Sequence, residues 1–202
     1  MISIRNLTKK FNNSTLFDSL CLEIPLDKPV VIAGRSGCGK TTLLRILAGL
    51  DREYEGTMEG MPDRISFMFQ EDRLLPWQSV KGNIEFVLKD VMDKSAMHES
   101  VARMIEAVQL TGHEDKLPSE LSGGMKRRVA LARTFCYPAE LLLMDEPFKG
   151  FDEKLNDEMI ALFGDLYVNT GKKVILVTHD LSIAEKLDCH VLHLDDIIAS
   201  QK

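Results

Sequence analysis

The chain has 202 residues, 45% hydrophobic and 28% charged, an ordinary globular balance with room for one sizeable domain or a core carrying an inserted subdomain. Its formal net charge of -6 speaks against nucleic acid as the main partner, because phosphate backbones reward basic faces. No apolar run reaches the length of a bilayer span, no signal-peptide core opens the chain, and the four scattered cysteines lack metal-ligand spacing; a cytoplasmic protein with free thiols is expected.

Ile2 to Leu7 and Ser19 to Ile24 alternate like two strands of one sheet, with Asn12-Asn13-Ser14 turning between them. Phe11, just before that turn, reads by itself as a core or turn-covering aromatic. Pro25 and Asp27-Lys28-Pro29 lead into Val30-Val31-Ile32-Ala33, an apolar and partly β-branched run that reads as a buried strand. Gly34-Arg35-Ser36-Gly37-Cys38-Gly39-Lys40-Thr41-Thr42 then fits G-x-x-x-x-G-K-[ST], and Leu43 to Ala48 are good helix formers. A strand, a glycine-rich turn and a helix are the context in which this pattern is a phosphate-binding loop. Its glycines let the backbone wrap closely around phosphates, and its N–H groups and the helix dipole point at them. Lys40 can reach the β- and γ-phosphates, and Thr41 can place its hydroxyl on Mg2+. In a plain glycine-rich turn Lys40 would oppose the helix dipole. Cys38 lies inside the loop and is expected to be accessible to alkylation.

Glu55 to Gly60 is expected as a short strand, and Arg64 to Phe69 as a strand ending at Gln70. From Val80 to Gln109 the signal is helical, with Met97, Val101, Met104, Ile105 and Val108 on one face, a stripe that reads as core packing. His113, after Thr111-Gly112, reads as a solvated loop residue. Ser122-Gly123-Gly124 opens the strongly helical Val129 to Phe135 and offers a second anion-binding helix start. Lys126, Arg127 and Arg128 fit an ordinary solvated charge run.

Glu140 to Met144 is a buried strand ending in Asp145 and Glu146. Asp145 is placed to hold the Mg2+ shell, and Glu146 to orient or deprotonate an attacking water. Lys172 to Thr178 is another buried strand, ending at His179-Asp180. A histidine there is ordinarily structural, but open α/β sheets place ligands at the carboxyl ends of their strands. Three strands ending at Gly34, at Asp145-Glu146 and at His179 converge on one site. His190 to Leu194 is a closing strand, and His98, His190 and His193 receive no role.

Taken together these motifs resemble the nucleotide-binding subunit of an ABC transporter, over essentially the whole chain and in the family's order. Gly34 to Thr42 matches Walker A, and Gln70 the Q-loop glutamine. Leu121-Ser122-Gly123-Gly124-Met125 matches the signature, with Met where Gln is commonest. Leu141 to Glu146 matches Walker B with its catalytic glutamate, Asp152 the end of the D-loop, and His179 the switch histidine. Phe11 falls where the family stacks an aromatic on adenine. Gln70 to Trp77, reading Gln-Glu-Asp-Arg-Leu-Leu-Pro-Trp, looks most like the nitrate, sulfonate and taurine importers.

The resemblance implies an α/β P-loop NTPase (RecA-like) core with N-terminal antiparallel β elements and an inserted α-helical subdomain. The core spans residues 1–75 and 130–202, and the helical subdomain 76–129, with the signature at its end. It implies ATP and Mg2+ as ligands, with Gly34, Arg35, Ser36, Gly37, Cys38, Gly39, Lys40, Thr41 and Thr42 around the phosphates. Thr41, Gln70 and Asp145 would hold the metal, and Glu146, His179 and Gln70 would serve hydrolysis. Ser122, Gly123 and Gly124 of a second copy, arranged head to tail, would close over the γ-phosphate. The implied function is ATP hydrolysis that energises import through separate permease subunits, with a solute-binding protein as indirect partner and no nucleic acid. The implied location is the inner face of the cell membrane, with the segment Leu74 to Trp77 passing motion to the permease. The alternative is a non-transport ABC ATPase of the DNA repair or translation type. The family's D-loop usually reads Ser-Ala-Leu-Asp, against Lys149-Gly150-Phe151-Asp152 here, and Arg35 stands where Pro is common in Walker A. The last strands lie close to the end of the sequence, so no extra C-terminal regulatory domain is expected.

Overall fold

The computed structural model describes residues 1–12 and 14–201, so Asn13 of the expected turn lies outside the described residues. Contacts divide the chain into two units, one of Met1–Phe67, Glu140–Pro147 and Lys173–Lys202, the other of Met68–Ala139 and Phe148–Lys172.

The first unit holds two sheets. Strands β1 (Ile2–Phe11), β2 (Ser14–Ile24) and β4 (Glu55–Glu59) form an antiparallel sheet in the order β2-β1-β4. Both long strands run further than the sequence alternation suggested. Asn6 and Ser19 adopt positive φ of 53° and 54° near irregularities in the β1–β2 register, which reset which face is buried partway along. The second sheet has the order β5-β6-β7-β3-β8. Its members are β3 (Val30–Ala33), β5 (Ile65–Met68), β6 (Leu141–Asp145), β7 (Lys173–Val177) and β8 (His190–His193). The pairs β6–β7, β7–β3 and β3–β8 are parallel. β3 and β6 are buried at every residue, which is why they read as unbroken apolar runs instead of alternating. Helix α1 (Lys40–Leu47) packs Leu43, Leu44, Ile46 and Leu47 into the same core as Ile2, Phe17, Ile32, Leu143 and Ile175. A short helix, α6 (Ser182–Lys186), precedes β8, and after β8 the chain turns into a further helix, α7 (Leu194–Ser200), which the sequence reading did not anticipate.

The second unit is helical: α2 (Val80–Glu85), α3 (Lys94–Ala107), α4 (Gly123–Cys136) and α5 (Glu153–Thr170). The expected helical stretch from Val80 to Gln109 is broken between α2 and α3. Asp93 causes the restart by capping α3, its carboxylate accepting the N–H groups of Ser95 and Ala96. Of the predicted stripe, Val101, Ile105 and Val108 are buried, and Met97 and Met104 half-buried. Phe135, Phe148 and Tyr167 all pack on Phe163, the first two edge-to-face and Tyr167 stacked. Contacts group residues 68–75, 130–139 and 148–172, which motif order assigns to the core, with the helical unit. Among the described residues no helix is long and apolar enough to cross a membrane.

Candidate functional site

Parallel pairing aligns the carboxyl ends of the central strands. Ile32 of β3 lies opposite Val177 of β7, and Asp145 of β6 opposite the same Val177. Gly34 to Gly39, Asp145-Glu146 and Thr178-His179 therefore emerge from one edge of the sheet, as expected for a ligand site in an open α/β fold.

The loop closes on α1 without a side-chain cap. Gly39 at the N-cap has φ +107° and offers no capping side chain, and no acidic residue lies in the first turn. A Cβ on Gly39 would fall 2.6 Å from Phe17 Cζ, so neither the backbone nor the space admits another residue there. The Lys40 ammonium bends back across the loop and donates to the carbonyls of Gly34 (2.7 Å) and Arg35 (2.9 Å). An uncapped helix start holding a lysine fits a polyphosphate. The Thr41 hydroxyl donates to Asp145 Oδ1 at 3.1 Å, and Asp145 is 5% exposed. A hydroxyl beside a buried carboxylate is a donor set of the kind Mg2+ takes. Ser36 and Gly37 are exposed, and Thr42 is half-buried. Cys38 is half-buried, and burial pushes its thiol up against the opposing pull of Lys40. Arg35 lends its N–H to Asp195 of α7 at 2.6 Å.

Next along the edge, Glu146 sits at φ 48°, a strained conformation for a non-glycine residue. Its N–H donates to Val177 O at 2.9 Å, and its carboxylate lies 3.0 and 3.1 Å from His179 Nδ1. A carboxylate oxygen accepts, so the tautomer that carries a proton on Nδ1 makes this contact a hydrogen bond. The His179 side chain is 64% exposed and that of Glu146 13%, so the imidazole faces outward over a sheltered carboxylate. Asp180 accepts from Ser182, whose hydrogen bond holds its carboxyl below the usual range and fixes the turn after His179.

Phe11 is 45% exposed, with Lys9 Nζ 4.7 Å from its ring centroid. Lys9, overlooked in the sequence, is 2% exposed and donates to Asp51 Oδ1 (2.7 Å) and Glu53 O (2.8 Å). His190 pairs with Asp27 at 3.1 Å, a surface contact away from the chemistry.

The other predicted residues belong to the helical unit. Ser122 caps α4, its Oγ accepting the Met125 N–H at 3.3 Å. Arg127 is 3% exposed and donates to Phe69 O, Gln70 O and Asp72 Oδ1 at 3.2, 2.9 and 3.1 Å. Arg133 adds bonds to the carbonyls of Arg73 and Asp72. The expected solvated charge run is thus a clasp that fastens the Gln70 backbone to the signature helix. Gln70, Ser122, Gly123, Gly124, Arg128 and Lys149 border one cavity of about 770 Å³. His113 also lines it; the residue is half-buried and its Nδ1 is shielded from solvent, which corrects the solvated reading. Asn83 is fully buried and ties Leu75 through Oδ1 and Nδ2, leaving Trp77 70% exposed on a pinned segment. Asp152 caps α5 through Leu155, and Lys149 and Gly150 before it are exposed.

Residues 17–149 match the family model described as ABC transporter. The chain belongs to the ABC transporter family. The aliphatic sulfonates import ATP-binding protein SsuB of Yersinia pestis is 38% identical over 202 residues, covering 96% of this chain and 73% of that protein. SsuB 2 of Rhodococcus jostii (strain RHA1) is 41% identical over 196 residues, covering 96% and 78%. Among solved structures, the dimeric ATP-binding cassette MJ0796 in a post-hydrolysis state bound to ADP and Pi superposes with a TM-score of 0.79 at 26% identity, covering 96% of this chain and 95% of that one. Within the family this chain is an ATPase subunit of the import group, built on the P-loop NTPase α/β fold. These relatives do not favour the alternative of a non-transport ATPase in DNA repair or translation.

Proposed function

We propose that this chain binds ATP with Mg2+ and hydrolyses it to drive uptake of an aliphatic sulfonate through separate membrane subunits. The observation that carries the reading is the single sheet edge where Lys40, the Thr41–Asp145 pair and the Glu146–His179 pair emerge together.

The N–H groups from Ser36 to Thr42 and the Lys40 ammonium hold the phosphates, and Phe11 offers its open face to adenine. Thr41, Asp145 and Gln70 hold Mg2+, which when bound neutralises charge on the transferred phosphate. Glu146 orients the attacking water and takes its proton, and His179 steadies that carboxylate and contacts the γ-phosphate. Ser122, Gly123 and Gly124 of a second copy, placed head to tail, complete the enclosure. Residues 1–75 and 130–202 serve as the ATP-binding core lobe, and residues 76–129 as the helical subdomain that carries the signature at its end. The Arg127 clasp on the Gln70 backbone supports a rigid link between Q-loop and signature. Trp77 docks the permease from the cytoplasmic side of the membrane, and a solute-binding protein delivers the cargo. Loss of the contacts to the γ-phosphate on hydrolysis reopens the pair.

Two measurements test this. The purified chain should show Mg2+-dependent ATPase activity, and cells lacking it should fail to grow on an aliphatic sulfonate as sole sulfur source. Normal growth would remove the sulfonate assignment, and absent ATPase activity with the permease bound would remove the hydrolytic one. Trp77→Ala should uncouple hydrolysis from transport; loss of basal ATPase would instead make Trp77 a core residue.

A further inference from the structure

The parallel pairing of β3 with β8 places Ala33 opposite His193. Two residues beyond each strand end stand Arg35, in the phosphate loop, and Asp195, in α7. They meet directly: Asp195 Oδ2 accepts the Arg35 N–H at 2.6 Å, and Oδ1 lies 3.4 Å from Arg35 Nε. The backbone bond is the stronger half, because the Arg35 side chain is 88% exposed and Asp195 only 20%.

The peptide that receives this bond is also held from its other end. The Gly34 carbonyl and the Arg35 N–H belong to one planar unit and point to opposite sides. The carbonyl accepts from Lys40 Nζ at 2.7 Å while the N–H donates to Asp195. If this peptide turned over, its oxygen would face the Asp195 carboxylate, and Lys40 would lose an anchor. Gly34 permits the approach: at φ +149° its missing Cβ would stand 2.9 Å from both Asp195 Oδ2 and Cys38 Sγ. The Arg35 hydrogen bond, with the positive charges of Arg35 and Lys40, holds the Asp195 carboxyl below the usual range, so the acceptor is ionised at neutral pH.

We propose that Asp195 is a positioning residue for the nucleotide site: it sets the direction of the Gly34–Arg35 peptide, and through the Gly34 carbonyl the place of the Lys40 ammonium. The inference rests on the reading of this loop as a phosphate holder. It also assigns the Arg35 N–H to Asp195, leaving the phosphates to the N–H groups from Ser36 onward.

The test is calorimetric titration of the full chain with ATP and with inorganic tripolyphosphate, which needs the loop but not the base platform. Asp195→Ala should weaken both about tenfold, the size of one charge-assisted hydrogen bond, with little change in melting temperature. Asp195→Asn, whose amide oxygen still accepts from the Arg35 N–H, should stay within about threefold of the unmodified chain. Arg35→Pro lacks the donor, so adding Asp195→Ala to it should cost nothing further. Unmodified affinities in Asp195→Ala, or an equal extra loss in the Arg35→Pro background, would overturn the proposal. If the unmodified chain binds neither ligand, the phosphate reading itself falls, and this inference with it.

Discussion

The two helix starts that the sequence offers to anions, α1 in one unit and α4 in the other, are closed in opposite ways. α1 has Gly39 at its N-cap, no side-chain cap and a lysine in its first turn. α4 is capped by its own Ser122, whose oxygen takes the Met125 N–H. An uncapped start leaves its N–H groups for a ligand, so α1 suits a polyphosphate that satisfies them when bound. A serine that accepts from its own helix keeps its hydroxyl proton to donate outward. α4 can therefore stand without a ligand and still offer a donor to one that arrives. The difference suits a loop that binds nucleotide first and a second copy's signature that closes on it later.

The largest expected effect tests whether both starts act on one ligand. Glu146→Gln removes the proton acceptor and leaves both helix starts intact, so turnover should fall about 10²- to 10⁴-fold while an ATP-bound dimer accumulates on gel filtration. A variant that stays monomeric with ATP and Mg2+ would separate the two helix starts. Lys40→Ala breaks the α1 side alone. Nucleotide affinity should drop roughly 100-fold by calorimetry, and unchanged affinity would take Lys40 off the phosphates. Ser122→Ala breaks the α4 side: the lost cap should lower stability by about 1 kcal/mol in denaturant melts, and ATP-dependent dimerisation should weaken. Retained dimerisation would leave Ser122 a structural cap only.

Cysteine chemistry supplies the finest contrast. Cys38 precedes α1, where Lys40 counters burial, and Cys136 closes α4 with its thiol pushed up to about 11. Cys189 is raised to about 11 as well. At pH 8, maleimide labelling should reach Cys38 before Cys136 or Cys189, each of which should react roughly 100-fold more slowly than an ordinary thiol. Bound ATP should slow labelling of Cys38; labelling indifferent to ATP would put the thiol outside the nucleotide loop's reach.

Much of this was readable before any coordinates. Gly34 to Thr42, the apolar strand before it, the carboxylates after β6 and the serine before α4 are local signals, each carried by neighbours in sequence. The elements they predict are present, as β3, α1, β6 and the capped start of α4. The breaks were less legible. Asp93 restarts a helix inside a stretch whose periodicity looked continuous, because capping depends on one side chain rather than on a pattern. α7 follows the expected closing strand directly, from Leu194, and the sequence reading did not mark it.

Sequence alone determined the strand, glycine-rich turn and helix around Gly34 to Thr42, because glycine conformations, helix caps and buried-strand composition act over a few residues. Tertiary structure decided which charged groups are buried and what they hold. Lys9 found Asp51, Arg127 found the Gln70 carbonyl, and Asp195 reached Arg35 across 160 positions in the chain. No composition or spacing announces such pairs. They exist because strand register and helix packing bring distant residues to one place, and a buried charge persists there only where a partner offsets its lost hydration.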